Sequence, residues 1–140
     1  MNVMKKDSLL DNLKSEHREV EELLNQAEKA PPSQRTKLIS EIEKNLVSHA
    51  RAEEKTVYSL FYANEKSDKS DADNESLNLI NEAYEEHHIV DHLLSVLKKI
   101  DVRDEAWVAK LKVLKENVTH HVEEEEQELF KKYSGVVFLG

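Results

Sequence analysis

The stretch HARAEEKTVY, residues 49–58, lies deep inside a long helical pattern, and HVEEEEQELF, residues 121–130, repeats its key letters. Each opens on a histidine, carries a glutamate four residues on, and ends in apolar and aromatic residues. On a helix, positions i and i+4 share one face. His49 and Glu53 fall in the series Ile42, Leu46, His49, Glu53, Val57, Leu60; His121 and Glu125 fall in Leu114, Val118, His121, Glu125, Leu129. Polar groups therefore occupy a stripe whose other members are core residues.

The same intrusion occurs in two further segments. His17 falls in Leu10, Leu13, His17, Val20, Leu24, and His87 in Ile80, Ala83, His87, Val90, Leu94. The chain also repeats itself. EHREVEELL (16–24) matches EHHIVDHLL (86–94), and HARAEEKTVY matches HVEEEEQELF. The periodicity predicts helices over about 7–29, 33–63, 74–100 and 104–133, with Ser33 and Asp104 as N-caps. Pro31 and Pro32 end the first helix. NEKSDKSDADN (64–74) reads as a loop, and SGVVFLG (134–140) as a short apolar tail that docks on the bundle or on a partner. Four such segments without a strand signal predict an all-α fold: an antiparallel up-down four-helix bundle made of two similar helical hairpins, in a single domain over 1–140.

Composition agrees and excludes several functions. The chain has 140 residues, 35% charged and 6% aromatic, a balance that favours helix. The formal charge of −9 argues against nucleic acid or an anionic membrane as partner. Without cysteine there is no disulfide, thiolate ligand or thiol nucleophile. No apolar run approaches the roughly 20 residues of a membrane span, and MNVMKKDSLLDNL does not read as a signal peptide, so a cytoplasmic location is expected.

In an antiparallel bundle the four histidines fall within about one or two helical turns of a common level. Carboxylates buried there are costly unless paired or metal-bound, and no lysine or arginine shares these stripes at that level. Four imidazoles and two carboxylates suit Fe, Mn, Zn or similar ions. The reading is a dinuclear site with pseudo-twofold symmetry built from His17, His49, Glu53, His87, His121 and Glu125. Glu123, Glu124 and Glu126 read as a solvated acidic face, Glu54 as surface, and Tyr58 and Phe130 as packing residues. His88, His92 and His120 read as flank positions, any of which, like Glu54, is a candidate seventh ligand or a contact behind one.

These residues resemble the hemerythrin-like (HHE) cation-binding domains: EHREV, HARAEE, EEHHIVDHLL and HVEEEEQELF match segment by segment along nearly the whole chain. The resemblance implies two non-haem iron ions with an oxo or hydroxo bridge, held by the six residues above with both glutamates bridging, and zinc or manganese as substitutes. It departs from the oxygen carriers, which use a fifth histidine; that position is Ala83 here, and His120 to Glu125 offers a five-residue step beside His121 to Glu125. The expected role is binding dioxygen, nitric oxide or a related small ligand for storage, sensing or iron handling. The alternatives are a di-iron enzyme acting on peroxide or nitric oxide and a metal-free structural bundle. No protein partner is identified.

Overall fold

In a computed structural model, residues 6–60 and 71–135 are described, and they are helical apart from two short turns. Helix α1 spans Lys6–Lys29. Helix α2 spans Pro32–Glu53 and runs without a break into a π turn, Glu54–Tyr58. Helix α3 spans Asp71–Lys99. Helix α4 spans Glu105–Glu124, continues through a second π turn, Glu125–Leu129, and ends in a short helix α5, Phe130–Gly135. Four helical rods and no strand are present among the described residues. None of the helices is long and apolar enough to cross a membrane.

The rods form a ring: α1 packs on α2 and α4, and α3 packs on α2 and α4. This is a four-helix bundle. Polar ties stitch the seams, including Lys98 to Glu43 at 2.9 Å and Lys115 to Glu28 at 2.8 Å. Arg35 donates to the Val102 carbonyl and lies over the Trp107 ring, its guanidinium carbon 4.9 Å from the centroid.

Two expected boundaries change. Ser33 is not the N-cap of α2: Pro31 holds that position in extended backbone, with Pro32 at the first helical residue. Proline is suited there, since its φ is preset and its missing N–H would lack a partner anyway. Helix α3 begins at Asp71 rather than near Asn74, so the last four residues of the expected loop are helical. Residues 61–70 and 136–140 lie outside the described residues, and with them most of the expected loop and tail. Asp104 does cap α4, its carboxylate accepting from the Ala106 N–H at 2.9 Å.

Two apolar clusters flank the histidines. One gathers Val20, Leu24, Ile42, Leu94, Leu97, Trp107, Leu111 and Leu114. The other gathers Leu10, Leu13, Val57, Tyr58, Ile80, Ala83, Leu129 and Phe130. Most of the expected stripe is buried, but Leu46 and Leu60 are only half-buried. The π turns explain how Val57 and Tyr58, adjacent in sequence, both reach the core, as do Leu129 and Phe130. A π turn inserts one extra residue and rotates the helix beyond it. The Thr56 hydroxyl donates to the Ala52 carbonyl and the Ser59 hydroxyl to the Glu54 carbonyl, both at 2.7 Å, satisfying groups in the first of these turns.

Candidate metal centre

His17, His49, Glu53, His87, His121 and Glu125 meet in one layer between the two apolar clusters, and all six are buried. They are the buried polar or charged residues among those described. The layer divides into two groups of donor atoms, each within 4.8 Å of one another: His17 and His49 with both glutamates, and His87 and His121 with both glutamates.

The carboxylates span the division. Glu53 Oε2 lies 2.9 Å from His49 Nε2 and 3.5 Å from His17 Nε2, while its Oε1 lies 3.2 Å from His87 Nε2. Glu125 Oε1 lies 3.0 Å from His17 Nε2, while its Oε2 lies 3.1 Å from His121 Nε2. Each glutamate thus gives one oxygen to each pair of histidines.

The other face of every imidazole is held by an outer glutamate. His17 Nδ1 donates to Glu126 at 2.6 Å, His49 Nδ1 to Glu16 at 2.7 Å, His87 Nδ1 to Glu54 at 2.8 Å, and His121 Nδ1 to Glu86 at 2.6 Å. A carboxylate only accepts, so each ring donates from Nδ1 and turns its Nε2 inward. The four bonds close a belt: α1 holds the histidine of α2, the α2 rod that of α3, α3 that of α4, and the α4 rod that of α1. Arg51 in turn grips Glu54 at 2.6 Å and Asp91 at 3.4 Å, and Arg18 grips Glu126 and Glu21.

The interior is short of positive charge. His17 Nε2, His49 Nε2, His121 Nε2, Glu53 Oε2 and Glu125 Oε1 are buried without a hydrogen-bond partner, although N and O approach within ion-pair distance. Burial alone would lower the pKa of His17, but the Glu125 and Glu53 carboxylates outweigh it and raise it to about 10. His49 and His121 are raised against burial in the same way, chiefly by Glu53 and by Glu125 respectively. Glu53 is held well below the usual carboxylate range despite complete burial, through its contacts with Glu125 and with His121, His17 and His49. Converging histidine nitrogens and carboxylate oxygens in an apolar interior fit a bound cation, which would supply the charge these histidines otherwise recruit as protons.

The family of hemerythrin HHE cation binding domains matches residues 8–133 of the chain. The chain belongs to that family. No curated protein and no solved structure matches it. HHE domains bind metal cations, and the buried histidine and glutamate layer of this one fits such a site.

Several expectations about the surroundings are corrected. Glu54 and Glu126 are not merely surface residues: they orient His87 and His17. Glu16 and Glu86, which do the same for His49 and His121, went unremarked in the sequence because they sit off the apolar stripe. His88, His92 and His120 are exposed and do not join the layer, and Glu54 faces its histidine from outside. Glu124 is half-buried, and burial with the Glu86 and Glu82 carboxylates raises its pKa. Phe130 packs as expected, stacked on His17 with centroids 5.7 Å apart. Tyr58 does more than pack. Its hydroxyl donates to Glu125 Oε2 at 2.5 Å and lies 3.3 Å from His87 Nε2. Burial first, then the Glu53 and Glu125 carboxylates, raise its pKa far above the usual phenol range, so it stays protonated.

Proposed function

We propose that this HHE domain is a non-haem di-iron protein that binds dioxygen, nitric oxide or a related small ligand inside the bundle. In this reading His17, His49, His87 and His121 would hold the ions through imidazole nitrogens, and Glu53 and Glu125 would hold them through carboxylate oxygens offered to both pairs of histidines. The rods are taken as an antiparallel up-down bundle of two similar hairpins, forming a single domain. Zinc and manganese suit the same donors and are the expected substitutes.

The observation that carries the proposal is a small cavity of about 30 Å³ beside the layer, lined by all four histidines and by Val20, Leu46, Val90 and Val118. A cavity needs about 10–15 Å³ on this measure to hold a water. The space suits a small ligand such as a diatomic molecule. Iron bound here would supply reversible redox and ligand-binding chemistry. The chain's own groups do the rest: the aliphatic side chains exclude water, the outer glutamates orient the imidazoles, and Tyr58 offers a hydrogen-bond donor on the far side of the layer. The acidic surface is consistent with a cytoplasmic protein that engages neither nucleic acid nor anionic lipid.

A second reading, a di-iron enzyme acting on peroxide or nitric oxide, draws support from Ala83, buried where the oxygen carriers place a fifth histidine. Fewer nitrogen ligands leave more open coordination. One experiment tests both. The protein is reconstituted with ferrous iron without oxygen, its metal content is measured, and its absorption is followed as dioxygen or nitric oxide is admitted. About two irons per chain and a reversible spectral change support the binding protein; turnover of peroxide or nitric oxide supports the enzyme. Absence of iron uptake leaves a structural bundle.

A further inference from the structure

The two halves of the layer are related by the internal repeat, yet one position breaks the relation. Tyr58 and Phe130 are equivalent in HARAEEKTVY and HVEEEEQELF. Both are delivered by a π turn and both stack on a histidine, Tyr58 on His87 with centroids 5.4 Å apart and Phe130 on His17. Only Tyr58 carries a hydroxyl.

That hydroxyl touches one half alone. Its three neighbours are Glu125 Oε2, His87 Nε2 and, at 3.5 Å, Glu53 Oε1. All three belong to the His87/His121 half. The consequence is visible in which buried atoms lack partners. In the His17/His49 half, all four donor atoms are unpartnered: His17 Nε2, His49 Nε2, Glu53 Oε2 and Glu125 Oε1. In the His87/His121 half, His121 Nε2 is the unpartnered one among the four. A buried polar atom with no partner stands to gain most from a cation, and one already hydrogen-bonded must first give up that bond.

We propose that Tyr58 makes the two cation positions unequal, so that the first cation enters the His17/His49 half and the second displaces the Tyr58 hydrogen bond to Glu125 to enter the other. This rests on the two-cation reading above. Tyr58 acts here as a positioning residue that sets the order of filling, rather than as a ligand.

The test is a titration of the full chain with cobalt(II) alone, followed by calorimetry and by the visible bands that report coordination number. Two binding steps are expected, separated by about tenfold in affinity, the scale on which contacts behind a ligand act. Tyr58→Phe should tighten the second step about tenfold and leave the first unchanged, bringing the two together. Phe130→Tyr should weaken the first step. His49→Asn should remove the tighter step and His121→Asn the weaker one. Two equal steps in the unaltered protein overturn the inequality while leaving the two-cation reading intact. A second step that Tyr58→Phe loosens also overturns it, because Tyr58 would then be a ligand; so does a second step it leaves unchanged, or loss of the weaker step in His49→Asn. Failure of the unaltered protein to take up cobalt overturns both readings together.

Discussion

The apolar clusters on either side of the histidine layer are built differently. The cluster around Trp107, Leu111 and Leu114 lies among regular α-helices, toward the short turns at Ala30–Pro31 and Asp101–Asp104. The cluster around Tyr58 and Phe130 takes residues from both π turns. Where a cluster only fills space, the 3.6-residue period suffices. Where it must also turn an aromatic ring onto a histidine of the layer, the α2 and α4 rods each insert an extra residue. A π turn is rare inside α-helices and is found most often at functional sites. The first cluster is therefore the main store of stability, and the second presents groups to the site.

The sharpest way to break this contrast is in the first cluster. Leu111→Ala should cost about 2–5 kcal/mol, because Leu111 is fully buried and its removal leaves a cavity. Urea unfolding should show the same loss with and without cation, at unchanged cation affinity. A loss of cation binding would mean that the two regions are not separable.

A pH series on cation-free protein separates them next. His17 is raised from 6.5 to about 10 in the fold, so the stability it contributes is fully present below about 6.5 and is lost as pH rises through about 10. The loss expected is on the order of 5 kcal/mol, and melting temperatures across that window measure it. The Leu111→Ala penalty should stay constant over the same window, since Leu111 packs within the apolar cluster.

Smaller effects sharpen the picture of the belt. Glu86→Gln should weaken cation affinity about 10–100-fold by loosening His121, with little change in the cation-free melting temperature. Calorimetric titration of a cation measures the first and thermal unfolding the second. Arg51→Ala should be the mildest: its bonds to Glu54 and Asp91 lie near the surface, so stability should change by less than about 1 kcal/mol. A large loss of cation affinity in this variant would show that the arginines govern the histidines through the glutamates.

The histidines and the two central glutamates were legible in the sequence because they interrupt apolar stripes of helical period, and an intrusion into such a stripe stands out. Glu16, Glu54, Glu86 and Glu126 were not. They lie on helix flanks in a chain with 29 acidic residues, where one more glutamate looks like solvated surface. Their partners are on other helices, 33 to 109 residues away, so no local spacing marks them. The π turns were hidden for a related reason: a strict 3.6-residue stripe through Glu53 reaches Val57 and Leu60 and passes Tyr58 by. Pro31 as a cap was missed because Ser33 offers the usual side chain, while the backbone geometry of two successive prolines prevailed.

The belt of outer glutamates has no free end. Two of its links join successive rods, Glu16 to His49 and Glu86 to His121, and two pass between the halves of the chain, Glu54 to His87 and Glu126 to His17. Each half therefore presents the other with one carboxylate to offer and one imidazole to be held. Two identical halves would close the same circle as a homodimer, with every link made twice. Joining them in one chain adds what a homodimer of identical halves lacks: freedom for the two sides to diverge, as position 58 has from position 130.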